Sequence, residues 1–268
     1  RSEYFYRICT WNPEKNKTRY FKILLYNLGM SLEQQHFNYL EKIKNRNFGN
    51  PMTITINNEE LCFDYLQCVL ELETIYKNIN LDKKSILEIG AGYGRTCHSI
   101  LSNSDCESYT ILDLDEMLHV SKKYLKKVLN EEQFKKIIFV SVDEIHNLDN
   151  KKFDLGIQID GFNEMTLEVV KHYISFIDKR CNNFYVKNPV GKYFDKEILK
   201  KSSKKSINLA LQSGILTDVV DINDNKKIKE ASLKFIEVYR PSLLWKELFN
   251  NWSKPTSFMW ECFYTKNE

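Results

Sequence analysis

The sequence predicts an α/β fold in which helices flank a doubly wound, mostly parallel β-sheet. From residue 82 onward, short runs rich in β-branched and aromatic residues alternate with helical patterns of about 10–15 residues. The first of these runs leads into a turn with glycines at positions 90, 92 and 94, and a helical pattern follows at once. Sheets of this kind bind ligands beyond the carboxyl ends of their strands, so we expect a site beside this turn.

Length and composition limit the classes of protein to consider. The chain has 268 residues, 43% of them hydrophobic, which is enough for one sizeable α/β core with an appended segment. Its 39 basic and 36 acidic residues are spread along the chain, which disfavours a nucleic-acid partner. Four neighbouring lysines are interpreted as a solvated helix face: Lys122, Lys123, Lys126 and Lys127.

The absence of recognisable targeting patterns in the sequence and the spacing of its cysteines favour a cytoplasmic protein. No apolar run approaches the roughly 18 residues of a membrane span, and no signal-peptide pattern opens the chain. The seven cysteines show no metal-ligand spacing and are odd in number. We therefore expect reduced thiols in the cytoplasm.

Residues 1–80 are predicted to form a helical cap that precedes a ligand-binding core at 81–268. An apolar stretch covers 20–30, a helix is predicted to begin at Ser31 with Gln34 as its capping-box partner, and residues 61–79 carry apolar side chains at helical spacing. On the helix that follows Ser31, His36 and Tyr39 are interpreted either as contacts to a substrate or as ordinary packing residues.

The core should contain at least five strands in chain order. They are predicted at 86–90, at 109–113, in a run ending at 140–143, at 153–160 and at 184–188. Beyond Pro189 the pattern predicts a helix at 195–213, β-like runs at 214–222, 233–239 and 258–264, and a helix at 241–252.

Four acidic residues come at or near the ends of predicted strands: Glu88, Asp113, Asp143 and Asp160. Asp113 follows Gly90 by 23 residues and ends the second strand, where a carboxylate can accept both hydroxyl protons of a ribose. A glycine-rich turn lets the backbone approach a ligand, and the next helix presents unpaired N–H groups. The pattern indicates a nucleotide-like cofactor.

The spacing narrows the choice of cofactor. A dinucleotide fingerprint needs a third glycine at position 95, where this chain has Arg95, so NAD is disfavoured. No Gly-Lys-Ser/Thr follows, which excludes a Walker loop. The ExGxGxG run from Glu88 to Gly94 resembles motif I of class I S-adenosylmethionine (SAM)-dependent methyltransferases.

That resemblance implies a Rossmann-like sheet of seven strands whose last two form an antiparallel hairpin. It also implies SAM as cofactor, S-adenosylhomocysteine as product, and a set of cofactor contacts. The turn would hold the methionine part, Asp113 the ribose, and Asp143 the adenine amino group, although Asp143 can equally be read as a turn acid. The expected cofactor residues are Glu88, Gly90, Ala91, Gly92, Gly94, Asp113, Leu114 and Asp143.

A narrower resemblance covers residues 85–175. The Tyr124-Leu125 pair, the triplet of Asn163, Glu164 and Met165, and Tyr173 make this stretch similar to a family of sugar O-methyltransferases. It implies that a hydroxyl of a sugar or nucleotide-linked sugar accepts the methyl group, in surface-polysaccharide biosynthesis.

Loss of a hydroxyl proton needs a base about 3 Å away. The candidates are Asp160 and Glu164, with His172 third.

Other methyltransferase classes fit the sequence less well. Nucleic-acid amino-methyltransferases carry an Asn/Asp-Pro-Pro-aromatic loop after the fourth strand, whereas Asn188 and Pro189 follow the fifth. Metal-dependent enzymes of the catechol type would match Asp160 and Asn188, but Lys187 occupies the place of their second acid. A cation there would repel Mg²⁺, so no metal is expected.

The sequence leaves three alternatives open: methyl transfer to another small polar acceptor, a non-catalytic SAM-binding subunit, and association of the chain with itself.

Overall fold

The computed structural model describes residues 16–193 and 203–267. Within these ranges lie a small hairpin and a central seven-stranded sheet. The hairpin strands are β1 Thr53–Ile56 and β2 Glu59–Cys62. The sheet strands are β3 Ser85–Ile89, β4 Ser108–Asp113, β5 Ile137–Ser141, β6 Phe153–Ile159, β7 Cys181–Pro189, β8 Trp245–Trp252 and β9 Met259–Lys266.

The central sheet has the strand order β5-β4-β3-β6-β7-β9-β8. Strands β5, β4, β3, β6 and β7 are parallel, while β9 runs antiparallel to β7 and β8 antiparallel to β9. The order reverses direction at β3, so that β4 and β6 lie on either side of the strand that leads into the glycine-rich turn. This confirms the predicted fold class, including the antiparallel pair at the end.

Helices connect and cover these strands. They are α1 Lys17–Met30, α2 Gln34–Lys42, α3 Phe63–Asn78, α4 Arg95–Asn103, α5 Asp115–Val128, α6 Glu131–Lys135, α7 Leu167–Arg180, α8 Lys204–Gln212 and α9 Asn225–Val238, with a 3₁₀ helix at Val142–Leu148. None of the helices in the described ranges combines the length and the apolar character that crossing a lipid bilayer requires.

The predicted helical cap shares one hydrophobic core with the sheet. Leu40 on α2 and Leu72 on α3 are fully buried in the same apolar cluster as Ile86 on β3, Tyr185 on β7 and Phe263 on β9. Packing of helices on a sheet removes the apolar stripe of each helix from water, which is the main stabilising contribution of such elements. The helices before residue 80 are therefore held against the ligand-binding half of the molecule.

The start of α2 corrects one prediction. The helix begins at Gln34 and not at Ser31, because Glu33 and His36 form the capping pair: the Glu33 N–H donates to His36 Nδ1 over 2.9 Å. His36 is buried and its Nε2 lies 3.1 Å from Glu73 Oε2. Its ring caps the helix and lies against the Glu73 carboxylate on the inner face of α2.

A second correction concerns the β1–β2 hairpin, which the sequence analysis missed. Asn57 and Asn58 form its two-residue turn with φ values of 53° and 64°. Both values are left-handed, as hairpin turns of this length require, and asparagine tolerates them. The predicted helix at 61–79 consequently begins at Phe63, after β2.

The C-terminal predictions are partly wrong. Residues 233–239 lie largely in helix α9, which Asp224 caps by accepting from the N–H groups of Lys226 and Lys227, and residues 241–252 contain strand β8 and no helix. Short apolar runs do not distinguish buried strands from helices. Residues 258–264 are a strand as predicted, whereas 214–222 contain a single bridge, Lys192 with Val219. Of the helix predicted at 195–213, α8 is present and 195–202 lie outside the described residues.

Candidate cofactor and active site

The glycine-rich turn connects β3 to α4 and lies beside the end of β4. The N–H of Gly90 donates to the Leu112 carbonyl over 2.9 Å, which ties the start of the turn to the neighbouring strand. Gly94 is the N-cap of α4 with a φ of 96°, and a Cβ atom there would lie 2.8 Å from Leu125 Cδ1. Only glycine satisfies both the backbone conformation and this close packing against α5.

Asp113 ends β4 and is buried directly against the turn. Its Oδ2 accepts from the Gly92 N–H over 3.0 Å, and its Oδ1 accepts from the Leu114 N–H over 2.8 Å. Each carboxylate oxygen has a second lone pair that can accept from a ligand. Desolvation raises the pKa of Asp113, and the backbone N–H donors act in the opposite direction.

A cleft of about 760 Å³ opens above the carboxyl ends of β3 and β4. Its volume lies in the range of small-molecule and cofactor sites. Much of its wall is apolar, and a few polar groups from three elements point into the same space. The lining residues are Ile89, Gly90, Gly92, Leu112, Asp113, Leu114, Met117, Val142, Ile145, Gly161, Glu164, Met165, Glu168, Val169, His172 and Tyr173.

The structure brings four of the eight predicted cofactor residues to this cleft. Gly90, Gly92, Asp113 and Leu114 all line it. Asp143 is exposed in the first turn of the 3₁₀ helix, and its neighbours Val142 and Ile145 form the cleft wall there.

A second pocket of about 250 Å³ meets the cleft at Gly90 and Gly92 and has a different character. Five charged side chains line it, and residues from α3, β3, α4, β6, β7 and β9 contribute to it. Its lining residues are Gln67, Glu71, Glu88, Gly90, Ala91, Gly92, Tyr93, Arg95, Thr96, Ile159, Asp160, Lys187 and Met259. The turn therefore separates a large, mostly apolar cleft from a small, polar pocket.

Glu88 lies in the wall of the polar pocket and is itself buried. The Tyr109 hydroxyl donates to Glu88 Oε2 over 2.8 Å. Desolvation raises the pKa of Glu88 to about 7, against the opposing effects of Tyr109, Thr96 and Arg95. The group can therefore change its charge near neutral pH and can accept a hydrogen bond from a ligand ammonium when ionised.

Three charged side chains form a buried ionic cluster beside Glu88. The carboxylate of Glu71 on α3 accepts from Lys187 Nζ through Oε1 and from an Arg95 guanidinium nitrogen through Oε2, each over 2.7 Å. The two cations lower the pKa of Glu71 although desolvation opposes them. Because two cations share one anion, the cluster carries an excess positive charge into the pocket.

The sequence analysis did not assign this cluster to the site. Arg95 stood out only because it replaces the third glycine of a dinucleotide fingerprint, and Lys187 only because it replaces a metal-binding acid. Glu71 interrupts the apolar face of the 61–79 helix pattern, and that was the available signal.

Asp160 follows β6 at the mouth of the polar pocket. Its φ of 57° is left-handed, an unusual conformation for a residue other than glycine, and its N–H donates to the Lys187 carbonyl over 2.8 Å. Desolvation raises the pKa of its carboxyl group; Lys187 acts in the opposite direction and Glu164 in the same direction. A carboxylate with a raised pKa is a better proton acceptor.

The side chain of Gln158 holds the loop after Asp160 in place. One atom of the buried Gln158 amide lies 2.7 Å from the Gly161 N–H and 3.0 Å from the Phe162 N–H, which identifies that atom as the oxygen. The Gln158 oxygen thereby accepts from two backbone N–H groups and fixes the turn that carries Asp160.

The three predicted bases do not lie together. All three are exposed: Asp160 lines the polar pocket, and Glu164 and His172 line the larger cleft. Tyr39 packs against the ring of Tyr76, with centroids 5.4 Å apart, and His36 is buried against Glu73. In the described ranges, no three His, Cys, Asp or Glu side chains are grouped as a metal site requires.

Comparison with solved structures supports the fold assignment. No protein-family model matches the chain, and no curated protein sequence matches it. The methyltransferase domain of bacterial CtHen1-C is similar in structure, with 16% identity, a TM-score of 0.51, and coverage of 75% of this chain and 98% of that one. PH1948 of Pyrococcus horikoshii, a candidate RNA methyltransferase, is similar at 11% identity and a TM-score of 0.50, with coverage of 88% and 98%. The chain has the Rossmann-like fold of these methyltransferases.

Proposed function

We propose that this protein is a SAM-dependent methyltransferase. The observation that carries the proposal is the position of Asp113, whose carboxylate ends β4, accepts from the Gly92 N–H and opens onto the 760 Å³ cleft. In this fold, a carboxylate at the end of the second strand of the parallel sheet, here β4, is well placed to accept both hydroxyl protons of a ribose. The resemblance of the run from Glu88 to Gly94 to methyltransferase motif I supports the same donor.

The two compartments beside the turn fit the two ends of the donor. The methionine end is a zwitterion, and the polar pocket offers both signs of charge: Glu88 for the ammonium group, and Arg95 and Lys187 for the carboxylate. The adenosyl end needs a polar group for its ribose and apolar walls for its base. Asp113 supplies the polar group, and the apolar walls are formed by Leu112, Met117, Val142 and Ile145.

We further propose that the acceptor is a hydroxyl of a sugar or nucleotide-linked sugar. The bound donor supplies an electrophilic methyl group on a sulfonium, and the protein must align the acceptor oxygen and remove its proton. Asp160 is the base that the geometry favours, because it lies in the pocket shared with the turn and has a raised pKa. The sequence resemblance over residues 85–175 supports the sugar acceptor.

Two measurements test the proposal. Calorimetry with SAM and S-adenosylhomocysteine should detect binding of both, while a nicotinamide dinucleotide should not raise the melting temperature. Incubation with SAM and a panel of free and nucleotide-activated sugars should then give a product heavier by one methylene group in mass spectrometry. Stabilisation by the dinucleotide without SAM binding would overturn the donor assignment. SAM binding without methylation of any sugar in the panel would count against the sugar acceptor.

A further inference from the structure

A third cavity, distinct from the two compartments of the donor site, lies between α5 and the segment that connects α2 to α3. Its volume is about 880 Å³, and we call it the basic cavity. Residues of α5 form one wall, and the loop at 46–51 with the start of α3 forms the other. Tyr93 of the glycine-rich turn lines both this cavity and the polar pocket, so the two spaces are neighbours.

The wall contributed by α5 is strongly positive. Lys123, Lys126 and Lys127 line the cavity, because spacings of three and four residues put them on one helical face. All three are exposed, and none of them forms an ion pair with another residue in the described parts of the chain. Lys126 and Lys127 lie in the last turn of α5, where a positive charge interacts favourably with the helix dipole. Lys123 lies a turn earlier and lines the same cavity, so the dipole does not account for it.

The opposite wall contains one cation that is already paired and one hydrogen-bonded carboxylate. The guanidinium of Arg46 binds the carboxylate of Glu59 and donates to the carbonyl oxygens of Leu40 and Ile43 over 3.0 and 3.2 Å. The carboxylate of Asp64 accepts from the Tyr93 hydroxyl over 2.8 Å. Asp64 remains an anion because the Tyr93 hydroxyl is neutral, so three lysines set against this one carboxylate leave the cavity with a net positive charge.

Aromatic rings complete the cavity and are held in fixed positions. The ring of Tyr124 lies edge-on to that of Tyr93, with centroids 4.9 Å apart, and 6.0 Å from that of Phe48. The Tyr124 hydroxyl lies 2.5 Å from the Tyr65 hydroxyl, which in turn lies 2.6 Å from His98 Nδ1. Phe48 lines the cavity and is 51% exposed, so its ring is accessible to a ligand there.

From this arrangement we infer that the basic cavity binds a phosphate ester that carries a ring, of the nucleoside diphosphate class. Lysine ammonium groups bind phosphate oxygens through charge-assisted hydrogen bonds, and aromatic faces stack on bases. The volume suits one such ligand, and the basic residues of α5 form a single helical face beside the cavity. The inference rests on the proposed function in one respect: the ligand would be the activated end of the acceptor, with its sugar directed past Tyr93 to the polar pocket.

The test measures binding of uridine diphosphate and inorganic pyrophosphate by calorimetry, with SAM binding measured on the same preparations. The double variant Lys123→Ala/Lys127→Ala should weaken binding of uridine diphosphate about tenfold or more. Phe48→Ala should weaken uridine diphosphate but not pyrophosphate, because it removes an exposed ring and no charge. The control Lys122→Ala/Lys135→Ala removes the same charge outside the cavity: Lys122 lies over the ring of Phe139, and Lys135 pairs with Glu131. Its affinity should stay within about twofold of the parent.

The outcomes separate this inference from the proposed function. Binding of uridine diphosphate that is lost in the cavity variant, with SAM binding intact, supports both. The same result without SAM binding supports the inference about the basic cavity and overturns the proposal that SAM is the methyl donor. SAM binding with no affinity for uridine diphosphate, or equal losses in the cavity and control variants, overturns the cavity inference alone. Tighter binding of a short single-stranded RNA than of uridine diphosphate, with steep salt dependence, would also overturn it in favour of a polynucleotide.

Discussion

Lys187 Nζ on β7 lies 2.7 Å from Glu71 Oε1 on α3, and neither side chain is more than 2% exposed. Arg95 at the start of α4 binds the other oxygen of the same carboxylate. A helix from the N-terminal segment thus meets the sheet and the glycine-rich turn at one buried anion. Removal of one partner from such a cluster leaves charge without compensation, which costs more than the cluster contributes when it is complete.

Glu71→Gln should therefore destabilise the protein by about 3–5 kcal/mol, because two buried cations lose their counter-charge while the side-chain volume is kept. Urea unfolding followed by circular dichroism measures the change. The control is Lys77→Ala, which breaks the surface pair between Lys77 and Glu73 on the same helix and should cost less than about 1 kcal/mol. Equal losses in the two variants would contradict the role assigned to Glu71.

Asp113→Ala should weaken SAM binding at least about tenfold, since two charge-assisted hydrogen bonds to ribose would be lost. Asp113→Asn is the informative companion because an amide keeps one acceptor oxygen for the backbone of the turn but cannot accept through both atoms. Calorimetry measures both affinities. Unchanged affinity in both variants would remove the ribose assignment.

Asp160→Asn should lower kcat about 10²- to 10⁴-fold, the range for loss of a general base, while SAM affinity stays within a few fold. The matched variant Glu164→Gln removes an exposed carboxylate from the wall of the other compartment and should have the smaller effect, as should His172→Gln. Steady-state assays with the best acceptor found in the sugar panel make the comparison. A larger loss in Glu164→Gln would transfer the role of base to that residue.

Gly94→Ala should destabilise the protein by about 2–4 kcal/mol, which combines a left-handed backbone with a collision against buried Leu125. Gly92→Ala is the control, because its φ is also positive at 58° but a Cβ there would meet open space. The control should cost about 1 kcal/mol in urea unfolding. Similar losses would show that packing against α5 contributes little.

Glu261→Gln should change how stability depends on pH. Burial raises the pKa of Glu261 to about 7, against the hydrogen bonds that Tyr185 and Thr74 donate to it. Between its ordinary value of 4.5 and about 7, the folded state holds a proton that the unfolded chain has released, so stability falls as pH rises through this window.

The glutamine variant cannot ionise and should escape this loss. Relative to the parent, it should gain on the order of 3 kcal/mol between about pH 4.5 and pH 7 and nothing further above that. Melting temperatures measured across this range test the prediction. A constant difference between variant and parent would contradict the raised pKa. Glu88 contributes a slope of the same sign in both proteins, so it cancels in the comparison.

The parallel half of the fold was predictable because its signals are local. β3 leads into glycines, β4 ends in Asp113, and each pattern of alternation lies within a few residues. The position of the cleft follows from these, since parallel strands end at one edge of the sheet. The hairpin turn at Asn57 and Asn58 was overlooked although it also has a local signature, two residues that tolerate a left-handed backbone.

The remaining features depend on contacts that are distant in sequence. Glu71 and Lys187 are 116 residues apart, and nothing near either residue indicates the other. Residues 233–239 and 241–252 were assigned to the wrong type because short apolar runs suit either type, and the tertiary contacts decide. Trp245 illustrates this: it is buried on β8 and its indole N–H donates to Asp178 on α7 over 2.7 Å.

The lysines of α5 show the same limit in a different form. Four lysines were predicted to form one solvated face; all four are exposed, but Lys122 lies over the ring of Phe139 and the other three line the basic cavity. That Lys123, Lys126 and Lys127 border a cavity became visible only when the segment containing Phe48 was placed opposite them.

The shared anion at Glu71 also bears on how this protein can be engineered or can diverge. A fragment starting at residue 81, or a chimera carrying residues 16–80 from another protein of this fold, would bring Arg95 and Lys187 into the interior without their counter-ion. Replacement of the first segment therefore requires a carboxylate at the position of Glu71 in the incoming sequence, or apolar replacements for both cations.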